Sequence, residues 1–597
     1  MQNQRNLLLA VALSFLLLIG WDTAMGYLYP APPQSEQATE QTAQQGAATD
    51  ASGAATTSAS GEIPASGEGA GLTEAGPVDL AQSLEGAERV RIEAPLLTGS
   101  INLATGAIDD IELKEYRETT DDDSEQVRLF APQGTQLQQF AQFGFLLNGV
   151  RQEGAAWQSS AETLSPGNPV TLTRAGEAGI TTSVTLSIDE QYMLTAEQRV
   201  ANTGEGAAVA QPFALISRSS RNASEDLWLA HSGPIGVFSD AANYDYGYED
   251  VEESGTVTPD GEAAWIGFTD IYWLSALVPE KGASASTTFR SLGNEQFRSD
   301  VIYDAVTLPA GQAVTRTTQL FVGAKESTIL DAYEDTGISQ FGLAIDWGWF
   351  RWFEKPMLWL LNKFYDFAGN FGIAIILLTM VVRLLLFPIA QKQFASMAGM
   401  KAVQPRMKAI QDKYKDDKVK AQQEMQKLFK EEGVNPLAGC LPLIVQIPIF
   451  FALYKVLYLA IEMRHRPFLW IDDLSAPDPA KILNLFGLLP FDPPSFLGIG
   501  VLAVGLGVTM WLTFKLNPSA MDPVQQQIFN IMPWVLMFVM APFAAGLLVY
   551  WNVSNILTLA QQKYLYSKHP QLKAAAEKEK AEKAKEAAKA KENAAKG

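Results

Sequence analysis

The chain has 597 residues, with 66 acidic and 45 basic side chains and a formal net charge of −21. That balance argues against general nucleic-acid binding, so no DNA partner is expected. A single cysteine, Cys440, excludes an internal disulfide framework and any zinc site built on several thiolates, and three scattered histidines offer no His-rich metal centre. The charge is unevenly spread: residues 22–345 hold 46 Asp/Glu against 15 Lys/Arg, and the remainder holds 20 against 30. An acidic polar block is set inside a basic, apolar frame.

Leu7–Ile19 is almost unbroken apolar sequence behind Arg5. It reads as a cleaved signal peptide or as a retained anchor. Trp21–Gly26 offers no good small-x-small cleavage site, which favours a transmembrane anchor over residues 1–22 with its N-terminus in the cytoplasm. Residues 23–80, rich in Ala, Gly, Ser, Thr, Gln and Glu, predict a disordered tether.

From Val90 polar and apolar residues alternate, as in Ser100–Leu103, Val170–Thr173, Thr182–Ile188 and Thr315–Val322, with Gly, Asp and Asn as punctuation. This predicts an antiparallel β-sandwich over residues 81–345, its last strand ending near Val322. Short helices are expected at Ser327–Tyr333 and beyond Ile345. The stretch 346–366 is dense in Trp and Phe with a few charges. It predicts an amphipathic helix lying on the outer membrane face; an aromatic core helix of the β domain is the alternative.

Four apolar stretches follow: Phe371–Ile389, Leu437–Ile461, Phe496–Leu516 and Ile528–Leu559. The first three are near the ~20 residues of a bilayer-spanning helix, and the fourth is long enough for two short spans turning at Ala541-Pro542. With the anchor this gives six transmembrane helices, five of them in a membrane core over residues 367–562. The fold class is an α+β membrane protein. Ten Lys/Arg between Pro388 and Leu437 place that loop in the cytoplasm. It predicts a basic helical hairpin over 390–434: helices Ala390–Tyr414, kinked at Pro405, and Lys418–Glu432, started by Asp416-Asp417 and closed by Gly433. Lys401, Arg406, Lys408, Lys413 and Lys418 are its candidate recruiting charges; a merely solvated hairpin is the plainer reading. The basic tail 563–597 falls on the same side. The acidic block and the Glu462–Ser495 loop fall outside, although Arg464 and Arg466 run against the charge rule there.

Arg383 stands inside an apolar stretch, five residues before Pro388. An intramembrane charge marks a functional interior by default, but ~7.5 Å of helix also lets it snorkel to the surface. Thr379 lies one turn away. Gln446, Tyr550, Trp551, Asn552, Ser554 and Asn555 lie in other apolar stretches. Such residues either bond helices together or line a wet groove, and periodicity does not choose. No GxxxxGK[ST], HExxH or GxSxG occurs. No catalytic residue, metal or cofactor is expected.

Asn435-Pro-Leu-Ala-Gly-Cys-Leu-Pro-Leu-Ile-Val-Gln-Ile-Pro-Ile-Phe-Phe-Ala-Leu-Tyr454 resembles the signature of the YidC family of membrane protein insertases. Thr379-x-x-x-Arg383, Ser396-Met397, Gln404-Pro405, Asp522-Pro-x-Gln-Gln526 and Tyr550-Trp-Asn-Val-Ser-Asn555 are similar to it as well, and the likeness covers about Trp352 to Lys568. An anchor followed by a large β domain resembles the Gram-negative form. Phe514 and Trp551 depart from residues common in the family.

The resemblance implies a nucleotide-independent insertase and assembly chaperone of the inner membrane, working alone or with the Sec translocon on newly made membrane proteins. It implies a hydrophilic groove containing Arg383, with Thr379, Gln446, Tyr550, Trp551, Ser554 and Asn555 on its walls. It implies a hairpin that receives substrate and, in some relatives, a basic tail that contacts ribosomes. The competing reading is a transporter or channel with an anion site at Arg383. That reading expects polar residues through the depth of several spans and an inverted repeat, and neither is seen.

Overall fold

The computed structural model of the chain describes residues 78–568, apart from 122, 153–154, 225–229, 416, 434–440, 487, 490, 492–497 and 517–522. The expected anchor, nearly all of the tether and residues 569–597 of the basic tail lie outside the described residues.

Helix α1 (Leu80–Glu85), capped by Asp79, leads into a two-sheet β domain. The spine of the larger sheet runs Ala285–Gly293, Gln296–Tyr303, Ala208–Ser219, Gln139–Leu147, Ala107–Arg117, Leu97–Asn102 and Arg89–Glu93. The other runs Gly233–Phe238, Ala263–Thr269, Trp273–Val278, Ala313–Ala324, Met193–Asn202, Ile180–Ile188 and Val170–Ala175. These neighbours pair antiparallel, as the alternation predicts; Arg91 and Ile92 pair in parallel with Thr163 and Leu164 at one edge. In Ile180–Ile188 every second residue is buried, because successive side chains of a strand point to opposite faces. Gln296–Tyr303 is buried throughout. It carries Arg298 and Asp300 inward, where Asp300 pairs with Arg290 at 3.0 Å and with Arg298 at 2.8 Å. Helix α2 (Tyr248–Ser254) packs beside that end of the sheet.

Helix α3 (Ser327–Asp335) follows the last strand, which ends at Ala324. The helix expected over 346–366 begins later than its aromatic composition predicts: α4 runs Arg351–Ala368. Trp347 lies in the segment before it and is 1% exposed, in the apolar core that the sandwich and the helices share. The core reading therefore holds for Trp347. The helix itself is two-faced, burying Met357, Leu358 and Leu361 and exposing Trp352, Trp359 and Phe367.

Next come α5 (Phe371–Leu385), α6 (Phe387–Lys413), α7 (Lys418–Glu431), α8 (Leu441–Leu459), α9 (Val501–Leu516), α10 (Pro523–Met540) and α11 (Ala545–Lys568). No single described helix is long and apolar enough to cross a membrane; α5 and residues 387–393 of α6 are so together, bent by 53°. The first apolar stretch thus breaks at Leu386, before Pro388, and does not run straight to Ile389. Pro388 sits in the first turn of the new helix, where its missing N–H is tolerated. The long fourth stretch breaks at residues 541–544 as Ala541-Pro542 predicts. Helix α11 continues to Lys568, so the boundary expected at 562/563 falls inside it.

The hairpin α6–α7 forms as its caps predict. The Asp417 side chain accepts from the Lys420 N–H at 3.0 Å, and Gly433 takes φ +64°, the left-handed conformation that closes a helix. Val403 on α6 and Leu428 on α7 are buried.

Glu354 of α4 is 2% exposed, with one carboxylate oxygen buried without a hydrogen-bond partner. Burial pushes its carboxyl up to about 7; nearby Lys455 pulls down and Asp346 pushes up. A folded-state pKa raised above the unfolded value stabilises the fold below the unfolded pKa, and that contribution is lost as pH rises through the folded one. Glu354→Gln is therefore expected to remove a stability loss on the order of 3 kcal/mol between about pH 4.5 and about pH 7. The check is the wild-type-minus-variant difference in unfolding midpoint across that range. A difference independent of pH rejects the neutral carboxyl.

Candidate functional site

Four of the expected groove residues come together among the apolar helices. Arg383, on the last turn of α5, donates from Nε to Ser554 Oγ of α11 at 2.9 Å and also from Nη2 to the same oxygen. Its backbone carbonyl accepts from Gln561 Nε2 at 3.5 Å, two α11 turns further on. Tyr550 stands four residues before Ser554, on the same face of α11, and accepts from Gln446 Nε2 of α8 at 2.8 Å. Arg383 is partly exposed; Ser554 and Tyr550 are buried. Among the described residues no carboxylate lies within ion-pair distance of Arg383, and its guanidinium is held there by the Ser554 hydroxyl. Such a cation attracts anions, and it does so more strongly than in water because the surroundings are apolar.

The other three expected residues do different work. Thr379 is fully buried and donates to the Ile375 carbonyl of its own helix at 2.6 Å. That bond satisfies the hydroxyl locally, so Thr379 offers nothing to a groove in this structure. Trp551 packs at a tilt against Phe450, with ring centroids 4.8 Å apart. Asn555 donates to Thr509 Oγ1 of α9 at 3.1 Å. It belongs to a second polar group, in which Asn552 Nδ2 donates to the carbonyls of Leu502 at 2.9 Å and Leu548 at 2.8 Å. The bonds to Thr509 and Leu502 join α9 to α11. Thr509 was not among the expected residues; the signal for it was one of two threonine hydroxyls, with Thr513, in the apolar stretch that faces α11.

On the hairpin, Arg406 pairs with Glu432 across α6 and α7, while Lys408 is exposed. Lys413 and Lys420 lie over the Tyr414 ring at 5.2 and 5.7 Å. The side chains of Lys401 and Lys418 lie outside the described residues.

The β domain is fastened to the end of α8 by polar contacts. Arg464 donates to the carbonyls of Arg117 at 2.6 Å and Glu118 at 3.0 Å, and its guanidinium lies over the Trp273 ring. Ser327 donates to Glu462 at 3.3 Å, and Tyr116 and Tyr192 both donate to Glu326, at 3.0 and 2.9 Å. Burial raises the carboxyls of Glu326 and Glu462 above the usual range. Arg464, which runs against the loop-charge rule, is thus a docking residue for the β domain.

A docked β domain and apolar helices that meet around a cation describe a membrane protein with a large extramembranous part. Residues 363–573 match the family model described as 60Kd inner membrane protein, and residues 89–360 match that of the YidC periplasmic domain. The class is therefore an inner-membrane protein with a periplasmic domain. The membrane protein insertase YidC of Methylobacterium radiotolerans is 40% identical over 592 residues, with 94% of both chains covered. That of Mesorhizobium japonicum is 42% identical over 582 residues, covering 94% of this chain and 95% of its own. A solved active YidC insertase aligns over 79% of this chain and 92% of its own, at 18% identity and a TM-score of 0.35. The chain belongs to the YidC family of membrane protein insertases, which are not enzymes.

Proposed function

We propose that this chain moves hydrophobic segments of newly made proteins into the inner membrane through a hydrophilic groove at Arg383, without nucleotide hydrolysis. The observation that carries this reading is the Arg383 guanidinium held against Ser554 among apolar helices, with no carboxylate partner among the described residues. A polar or acidic tail approaching from the cytoplasm meets a fixed cation. The apolar segment behind it then partitions into lipid, which supplies the driving force, aided by the membrane potential on an acidic tail. Arg383, Ser554, Tyr550 and Gln446 form the polar wall. Asn555, through Thr509, secures the neighbouring helix, and Thr379 and Trp551 shape the packing behind it. The exposed lysines of the hairpin recruit substrate. The Sec translocon and, through the basic tail, the ribosome are the proposed partners.

Six spans are proposed, the broken α5–α6 pair contributing one, with both termini in the cytoplasm. Depletion in the host should remove a set of multispanning proteins from the inner-membrane proteome; an unchanged membrane proteome rejects the function. Reporter fusions near Glu40, Lys413 and Lys573 test the topology. Phosphatase should be active only at Glu40, and activity at Lys413 overturns the orientation.

A further inference from the structure

The connection from Ala460 to Gly500 joins two apolar helices, α8 and α9. Its first residues contact the β domain through Glu462 and Arg464. It therefore lies at the periplasmic-domain end of the helices, where loop and charge rules predict a water-exposed segment. Its second half is built the other way round. From Ile482 to Phe491 there is no charged residue. The side chains of Ile482, Leu483, Leu485, Phe486, Leu488 and Phe491 project outward, Leu488 being 80% exposed, while the polar Asn484 is 7% exposed. Apolar outside and polar inside is the inverse of a surface loop in water.

Several backbone N–H groups of the turn's described residues are paired within the protein. Ile482 N–H donates to the Ile499 carbonyl at 3.0 Å, Phe486 N–H to Lys481 at 2.9 Å and Leu489 N–H to Asn484 at 3.0 Å. Internal pairing of this kind is what a chain segment needs in order to leave water. Leu485 and Phe486 take φ +51° and +63°, a region bulky residues avoid, and both side chains are thereby exposed side by side. Helices α8 and α9 also expose apolar side chains, at Ile447 and Phe451 and at Val508 and Leu512. In an inner-membrane protein those side chains meet lipid.

We infer that the described residues of this turn, 481–486, 488, 489 and 491, are seated in the outer leaflet of the inner membrane, their apolar side chains among the acyl chains and Lys481 at headgroup level. A water-soluble protein partner would need polar features for orientation, and the patch presents none among its described residues. The lipid reading also explains why the polar side chain is folded inward. The turn gives the core a fixed depth on the periplasmic side.

The experiment uses the full chain with Cys440→Ser and one new cysteine, Leu488→Cys, labelled with an environment-sensitive fluorophore. It is reconstituted in vesicles of phosphatidylethanolamine and phosphatidylglycerol. Val150→Cys, on an exposed edge of the β domain, is the aqueous reference. The Leu488 label should be blue-shifted, quenched severalfold more by lipid nitroxides near the headgroup end of the acyl chain than by aqueous iodide, and the Val150 label the reverse. Equal iodide quenching at both positions overturns the proposal. Protection from both quenchers also overturns it, because a protein surface then covers the turn. Leu483→Cys serves if Leu488→Cys does not fold. The readout needs no insertion activity, so its failure leaves the proposed function standing.

Discussion

Replacing Arg383 by alanine or glutamate is expected to lower insertion of a small, acidic-tailed membrane protein by roughly tenfold or more, while Arg383→Lys retains most of it. A charge-assisted hydrogen bond is worth about 1.5–3 kcal/mol, and about 1.4 kcal/mol is a factor of ten. Losing the interaction between the guanidinium and a substrate carboxylate therefore gives a defect of that size. Lysine keeps the charge and loses the planar fork of donors. The geometry bears on the snorkelling alternative. Arg383 lies in the last turn of α5, but it donates sideways to Ser554 of α11 by two of its nitrogens, which ties the cation to the neighbouring helix. Ser554→Ala should release the guanidinium without removing its charge, so its effect should be smaller than that of Arg383→Ala. The measurement is protease protection in vesicles carrying each variant at matched levels. Equal protection in wild type, Arg383→Ala and Arg383→Glu would falsify the groove role. A defect confined to Arg383→Glu would report damage from a buried carboxylate. Lengthening or neutralising the substrate tail distinguishes charge attraction from misfolding, since only the former depends on the tail.

Much of the fold was legible because its signals are local. Alternation in Thr182–Ile188 reports one buried face, Asp417 and Gly433 mark helix ends by their own side-chain and backbone chemistry, and Ala541-Pro542 marks a break. The polar positions Arg383, Gln446, Tyr550 and Ser554 were legible as costly groups in apolar stretches. Their pairing was not, because the partners lie about a hundred or more residues apart. Thr379 shows the converse: a hydroxyl bonded to its own helix looks in sequence like one that faces water. Arg464 was legible only as a charge on the wrong side of the membrane. Its acceptors are backbone carbonyls of Arg117 and Glu118, which leave no mark in the sequence. The bend came at Leu386 and not at Pro388 because proline is tolerated in a first helical turn. Trp347 carries an aromatic signal that core and interface share, so composition could not divide the stretch at Arg351.

Asp478→Ala is expected to destabilise the membrane core by about 2–4 kcal/mol, the sum of a lost helix cap and two further buried bonds. The first turns of α9 and α11 have N–H groups with no partner in their own helices. The extended segment 474–480 supplies acceptors to both. The Ala476 and Leu474 carbonyls accept from Ala545 at 2.7 Å and Gly546 at 2.9 Å, and the Ala480 carbonyl accepts from Val501 at 3.1 Å. Asp478, 2% exposed, adds its carboxylate: Oδ2 accepts from Leu502 N–H at 2.8 Å, and Oδ1 from Ala480 N–H at 3.0 Å and Trp470 Nε1 at 3.1 Å. A carboxylate at a helix N-terminus also meets the positive end of the helix dipole. Gly500 makes room for it, since a Cβ there would lie 2.6 Å from Asp478 Oδ2. Gly500→Ala should therefore be costly in the wild type, because the new Cβ crowds both the Cβ and the carboxylate of Asp478, and much less costly in a cycle with Asp478→Gly, which removes both, whereas Asp478→Ala keeps the Cβ and part of the clash. Residues that share one packing site couple in this way, whereas independent ones add. The cycle is read from unfolding midpoints of the four proteins in detergent. Strict additivity of the two costs, or an Asp478→Ala variant as stable as the wild type, rejects the double cap. Loss of the cap should also free the start of α9, the helix whose Thr509 bonds Asn552 and Asn555, so protease nicking after Lys481 is expected to rise in step with the loss of stability.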